Sequence, residues 1–68
     1  MIKINKELDK KALIMVSKMT DEEVIKFLEI HWNTHDVTKE EQVEHLNTYN
    51  HRYMAHKIMS INLSMLVE

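Results

Sequence analysis

Apolar residues along this chain recur every three or four positions, the spacing of one face of an α-helix. Three segments show this pattern, and we predict helices over about residues 5–18, 21–33 and 39–67, with a loop near 33–37. The predicted inner stripes are Ile4, Leu8, Ala12, Met15 and Met19, then Val24, Phe27, Leu28 and His31, then Val43, Leu46, Asn50, Met54, Ile58, Ile61 and Met65. The pattern predicts an all-α protein, a small three-helix bundle with a long C-terminal helix.

Capping signals mark where the predicted helices begin. Thr20-Asp21-Glu22-Glu23 and Thr38-Lys39-Glu40-Glu41 both read as capping boxes, in which a threonine hydroxyl and a glutamate carboxylate satisfy free backbone amides reciprocally. Asn5 suits the cap of the first helix. In the second box, Gln42 occupies the position where the apolar partner of a hydrophobic staple would stand, so no staple is expected there.

The end of the third predicted helix carries a second apolar face. Met59, Leu63 and Leu66 lie about 140° around the helix from the main stripe. Because one apolar face is enough to pack within a small protein, we predict that these three residues form an oligomer interface, in a homodimer or with an obligate partner. A break near residues 60–62, which would fold the last residues back as a fourth helix, covers the same face and stays open as an alternative.

Composition supports the all-α prediction. The chain has no glycine and no proline, which tight β-turns need and helices avoid. Its 68 residues allow one domain, residues 1–68, with a core small enough to benefit from a partner chain. No apolar run reaches the roughly 18 residues of a membrane span, and the N-terminus lacks a signal-peptide pattern, so we expect a cytoplasmic protein with no membrane partner.

The net charge of −2 conceals an uneven distribution. Residues 1–19 hold five lysines and two acids, whereas residues 20–44 hold eight acids and two lysines. A protein that binds DNA by itself neutralises many phosphates with basic residues clustered on one face. One helix with a few lysines offers only a small basic face of this kind. A solvated helix surface, or docking between oppositely charged helices or subunits, explains the pattern more simply. Direct DNA binding through the first helix is therefore a secondary alternative.

The residue types needed for catalysis or for a metal are poorly arranged in this sequence. No glycine-rich phosphate loop, cysteine nucleophile or serine on a strained turn is present. His31 and His35 stand four residues apart, as zinc ligands on a helix do, but the other histidines do not follow a zinc spacing. We therefore predict no enzyme activity, no cofactor and no metal site, and expect a protein that acts by binding another protein.

Two residues stand out as contact candidates. Trp32, at the end of the second helix, has the large amphipathic ring that dominates many interfaces, although it could equally cover the core. Asn50 interrupts the third stripe between Leu46 and Met54. A buried asparagine at such a position can fix helix register or subunit pairing. The alternative is that Asn50 lies at the edge of the stripe, in contact with water.

The segment from Thr20 to Ala55 resembles the Hha/YmoA family of small bacterial modulators of gene expression. The resemblance rests on a helix after a threonine, a loop, a Thr38-capped helix, and Asn50-His51-Arg52 at the place of the family's Asp-His-Arg element. Asparagine replaces the aspartate here, and the family's Pro-aromatic tail and arginine-rich first helix are absent. The resemblance implies a protein that docks on the nucleoid silencer H-NS without reading DNA, with Asn50, His51 and Arg52 in partner contact.

Two functional hypotheses follow from these observations. In the first, the protein is a small regulator that binds a nucleic-acid-associated protein through Trp32, Asn50, His51 and Arg52. In the second, it is a phage- or plasmid-encoded inhibitor of a host defence nuclease or polymerase. Its acidic segment, residues 20–44, would then imitate nucleic acid.

Overall fold

Four α-helices make up the structure, a computed structural model that describes residues 5–67. The helices are α1 (Lys6–Lys18), α2 (Asp21–Thr34), α3 (Lys39–Thr48) and α4 (His51–Val67), and no strand occurs within these bounds. The all-α prediction is confirmed, as are the first two helices to within a residue. Ile4, which heads the first predicted stripe, lies outside the described residues.

The prediction of one continuous helix over 39–67 is wrong, because Tyr49 and Asn50 interrupt it and separate α3 from α4. Tyr49 has extended backbone angles, φ −115° and ψ 156°. The side-chain Oδ1 of Asn50 accepts a hydrogen bond from the Tyr53 amide at 2.9 Å, which makes Asn50 the cap of α4. The break falls in the run Asn47–Asn50, where every residue is a weak helix former.

This break corrects two further expectations. Asn50 is an exposed cap and not a buried amide within an apolar stripe, so it has no helix register to fix. The alternative break near residues 60–62 is also wrong, because α4 continues through that segment to Val67. Two shorter helices replace one long rod, and the Cα atoms extend 33 × 26 × 17 Å along the principal axes.

The predicted caps of α1, α2 and α3 are observed as hydrogen bonds. The Thr20 hydroxyl accepts from the Glu23 amide at 3.1 Å, and the Glu23 carboxylate accepts from the Thr20 amide at 2.9 Å. That backbone bond from Thr20 is the main cause that lowers the pKa of the Glu23 carboxyl. The Thr38 hydroxyl accepts from the Glu41 amide at 3.2 Å, but the Glu41 carboxylate does not bond back to the Thr38 amide, so the second predicted capping box forms only in part. Asn5 Oδ1 accepts from the Glu7 amide at 2.9 Å and from the Leu8 amide at 3.4 Å.

The end of α2 turns without glycine. Asp36 adopts the left-handed conformation, φ 57°, that usually falls to glycine after a helix. The Asp36 amide donates to the Asn33 carbonyl at 3.2 Å and the Val37 amide to the Trp32 carbonyl at 2.9 Å, the two bonds of a Schellman motif. Aspartate tolerates this conformation better than most residues, so the motif forms in a glycine-free chain.

Gln42 joins α3 to this turn in place of the missing hydrophobic staple. Its side chain is 4% exposed, and its amide nitrogen donates to the Val37 carbonyl at 2.9 Å and to Asn33 Oδ1 at 2.8 Å. The polar residue at the staple position therefore ties α3 to the end of α2 by hydrogen bonds, where an apolar residue would have done so by packing.

The core lies where α4 packs against α1 and α2. Its buried members are Val16, Val24, Leu28, Trp32 and Ala55. Ala12, Ser60 and Ser64 are also buried, and their small side chains line the α1–α4 contact. Val16 takes the inner position that we predicted for Met15, which is 46% exposed, because successive residues point about 100° apart around a helix.

The second half of α4 is oriented differently from the prediction. Ile61 and Met65, expected inside, are 38% and 54% exposed. Of the three residues predicted at an oligomer interface, Met59 packs against the core, Leu63 is half-buried and Leu66 is 82% exposed. Because α4 begins anew at His51, it turns Ser60 and Ser64 toward α1 and leaves Ile61 and Met65 in solvent, while Met54 and Ile58 pack against the core.

The cap at Asn50 predicts an order of stability among variants. Asn50→Ala should lower the free energy of unfolding by about 1 kcal/mol, because the Tyr53 amide loses its acceptor. Asn50→Asp should be tolerated, because a carboxylate favours the positive end of α4. Urea denaturation checks both, with Asn47→Ala as the control inside α3. Greater stability of Asn50→Leu than of the wild type would contradict a capping role.

Candidate protein-binding groove

Arg52 lies in the first turn of α4 and bonds to the ends of two other helices. Its Nη1 donates to the Val16 carbonyl at 2.7 Å, and its Nη2 donates to the Met19 carbonyl at 2.8 Å and to Asp21 Oδ1 at 2.9 Å. The last carbonyls of a helix lack partners within the helix and form the negative end of its dipole. Arg52 therefore completes the end of α1 and pairs with the start of α2.

The two residues before Arg52 also make contacts within the chain. Asn50 caps α4, and His51 Nε2 lies 2.7 Å from the Leu46 carbonyl of α3. A carbonyl oxygen can only accept, so Nε2 carries the hydrogen of this bond. Asn50-His51-Arg52, predicted as a partner-contact element, thus holds the α3–α4 junction. It stands at the start of a helix, whereas the family resemblance places such an element well inside a long one.

Asp9, His56 and Ser60 form a polar contact between α1 and α4. Ser60 Oγ donates to Asp9 Oδ1 at 2.8 Å, and His56 Nε2 lies 3.0 Å from the same oxygen. The Ser60 hydrogen bond is the largest cause that lowers the pKa of the Asp9 carboxyl. A hydrolytic triad would need the serine to bond the histidine at an open surface, but Ser60 bonds the carboxylate and is fully buried. The cluster is a structural tie.

An open groove lies where α4 meets the ends of α2 and α3. It has a volume of about 320 Å³ and is lined by Trp32, His45, Tyr49, Tyr53, Met54, Lys57 and Ile58. Trp32 is 7% exposed and lies at the core side, whereas Tyr49 and Tyr53 are 56% and 60% exposed. The interruption between α3 and α4 creates this shape, because Tyr49 is the C-terminal cap of α3 and Tyr53 lies in the first turn of α4.

Three rings of this aromatic groove, those of Trp32, His45 and Tyr49, lie next to one another in that order. The ring centroids of Trp32 and His45 are 5.7 Å apart, as are those of His45 and Tyr49, each pair tilted by 42°. Lys57 Nζ lies 5.3 Å from the centroid of Tyr53, a cation–π distance. Among the lining residues only Lys57 carries a formal charge. The aromatic groove is therefore an apolar concave surface with one positive edge.

Of the residues predicted to bind a partner, only Trp32 lines the aromatic groove; Asn50, His51 and Arg52 lie beside it. Sequence reasoning missed His45, Tyr49, Tyr53 and Lys57. The scarcity of large aromatic residues was a signal for this site. The chain has only four Trp, Tyr and Phe residues, and three of them line the groove. The assumption of one continuous helix over 39–67 concealed that gathering.

The histidine pair considered as zinc ligands lies on another surface. The His31 and His35 rings have centroids 4.5 Å apart. Between residues 5 and 67, no three His, Asp or Glu side chains are grouped so as to hold a metal ion. Within the same range, no helix combines the length and the apolar character that crossing a membrane requires.

Comparison with known proteins found no matching family model, no matching curated protein and no matching solved structure.

The contacts of Arg52 predict that the planar shape of its guanidinium contributes more to the stability of the fold than its positive charge does. Arg52→Lys should lower the free energy of unfolding by about 1–2 kcal/mol, because one ammonium cannot satisfy acceptors on both α1 and α2. Asp21→Asn is the matched control. It should cost about 0.5 kcal/mol or less, because the Asp21 side chain is 90% exposed and exposed ion pairs contribute little. Equal losses in chemical denaturation would contradict this assignment.

The lowered pKa of Asp9 predicts an acid-sensitive contribution to stability. A carboxyl whose folded pKa lies below its unfolded value of about 3.9 stabilises the protein above that pH. The contribution is lost as the pH falls through the folded pKa. Asp9→Asn should therefore reduce the melting temperature near neutral pH, and its difference from the wild type should shrink toward about pH 3. Glu7→Gln, an exposed change on the same helix, is the control for the loss of one carboxylate from α1.

Proposed function

We propose that this protein is a non-enzymatic regulator that acts by binding another protein, and that the aromatic groove is its contact surface. The observation that supports this proposal is the exposure of Tyr49 and Tyr53 around an apolar concavity. Tyrosine and tryptophan are the residues that contribute most to protein interfaces, because their rings offer large contact areas at small entropic cost.

The chemistry of the groove defines the partner segment that fits it. At about 320 Å³ the groove lies at the lower end of ligand-pocket volumes, which suits a few side chains better than a large cofactor. Its apolar lining favours aliphatic or aromatic side chains, and Lys57 at the edge favours a neighbouring carboxylate. We therefore propose an amphipathic segment with apolar anchors and an acidic residue beside them.

For the class of partner, we propose a nucleic-acid-associated protein that this chain modulates in the cytoplasm. The support is the Hha/YmoA resemblance of the segment Thr20–Ala55. Inhibition of a nuclease or polymerase is the second candidate, and the exposed carboxylates in the first turns of α2 and α3 favour it. An enzyme that binds nucleic acid would meet in these carboxylates the charge of a phosphate backbone.

Association with a second chain is also part of this proposal. Ile61, Met65 and Leu66 remain exposed on the last turns of α4. Burial of apolar side chains away from water is favourable, so a group of them exposed at one end of a small protein favours contact with another chain.

The test of the groove compares three forms of the protein in affinity capture and then in calorimetry with the purified captured protein. Tyr53→Ser should weaken binding by about 2 kcal/mol, or roughly thirtyfold, because a hot-spot ring is removed. Val43→Ser is the control, since Val43 is 55% exposed on α3 and does not line the groove.

The identity of the captured protein separates the two candidates. A nucleoid silencer would support the first, and a nuclease or polymerase the second. Equal binding by Tyr53→Ser and the wild type would contradict the groove. A DNA gel shift at low salt that is lost on changing Lys10 and Lys11 would contradict the protein-binding proposal and favour a direct DNA binder.

A further inference from the structure

A second concave surface lies between α2 and α4, away from the tyrosines. It consists of two adjoining hollows of about 300 and 180 Å³ that share His31, His35 and Asn62. Ile30 borders the first hollow, and Ile61 and Met65 border the second. These six residues define the α2–α4 surface.

The α2–α4 surface carries exposed aliphatic side chains and no acidic, lysine or arginine side chain. Ile30 is 59% exposed, Met65 54% and Ile61 38%. Charged residues make up 29% of the chain, yet neither hollow is lined by an Asp, Glu, Lys or Arg. An uncharged surface with exposed aliphatic side chains beside hollows has both the projections and the recesses that a paired surface needs.

We propose that the α2–α4 surface joins two copies of this chain in a symmetric dimer. In a two-fold interface the same patch lies on both sides, so a patch with a net charge would face another net charge of the same sign. The neutrality of this surface removes that repulsion, and the Ile30 and Met65 side chains of one protomer can occupy the hollows of its partner. The proposal develops the association proposed above and does not depend on the aromatic groove.

The histidines make such a dimer sensitive to pH. The α4 residues that face them, Ile58, Ile61, Asn62 and Met65, have no titratable group, and neither do Phe27, Ile30 and Thr34 on their own helix. Burial, and secondarily the nearness of His35, lowers the pKa of His31. Pairing would bury both rings further, so the dimer binds protons less readily than the monomer. Acid therefore favours dissociation.

The test is sedimentation of the full chain over a range of concentrations, with a monomer mass of 8.2 kDa. We expect a dimer near about pH 8 whose dissociation constant rises about tenfold or more by about pH 5.5, across the ordinary histidine range. Replacing both histidines by glutamine should remove this dependence. The folded state of each sample is checked by circular dichroism.

Charged substitutions locate the interface. Ile30→Lys and Met65→Lys should each raise the dissociation constant about tenfold or more, because each buries an unpaired charge. Leu13→Lys on α1 is the matched control, because Leu13 is 53% exposed, about as much as Met65, and lines neither hollow. Tyr53→Ser should dimerise normally, which separates this surface from the aromatic groove. A monomer at all concentrations at about pH 8, or dimerisation lost in Leu13→Lys and kept in Ile30→Lys, would overturn the proposal.

Discussion

The guanidinium of Arg52 connects the helices α1, α2 and α4 at one end of their shared core. It bonds two carbonyls at the end of α1 and the first carboxylate of α2 from the first turn of α4. Only arginine offers several donors in one plane, and the free carbonyls of a helix end are acceptors that any helix provides. With α4 held there, Asp9 meets Ser60 and His56, and Asn5 meets Ser64, farther along the same α1–α4 contact.

The aromatic groove follows from the same junction. Asn50 starts α4, His51 bonds the last turn of α3, and the extended residue between the two helices is Tyr49. A glycine-free chain must make its turns with residues that have side chains, and here those residues are Asn50 and Asp36, whose short polar groups favour such positions. The tyrosines on either side of the break are thereby left in solvent around a concavity.

This arrangement gives the polar and the aromatic residues separate tasks. Asn50, His51 and Arg52, which the family resemblance implies in partner contact, bond within the chain, while the groove beside them presents aromatic rings and one lysine. On the α2–α4 surface, aliphatic side chains and two histidines stand without formal charge. We infer that affinity comes from apolar surfaces, and that the polar junction supplies the rigidity with which they are presented.

The sequence by itself determined the helical class, the starts of α1, α2 and α3, and the turn after α2, because caps and periodicity are local properties that neighbouring residues decide. The start of α4 escaped detection because Asn50 has Tyr53, and no acid, three residues later. Only the tertiary structure decided that Val16 and not Met15 is buried, that serines and not Ile61 and Met65 face α1, and that Trp32 gathers with two tyrosines. Those outcomes depend on how one helix is rotated against another, and that rotation is set by contacts between residues distant in the chain.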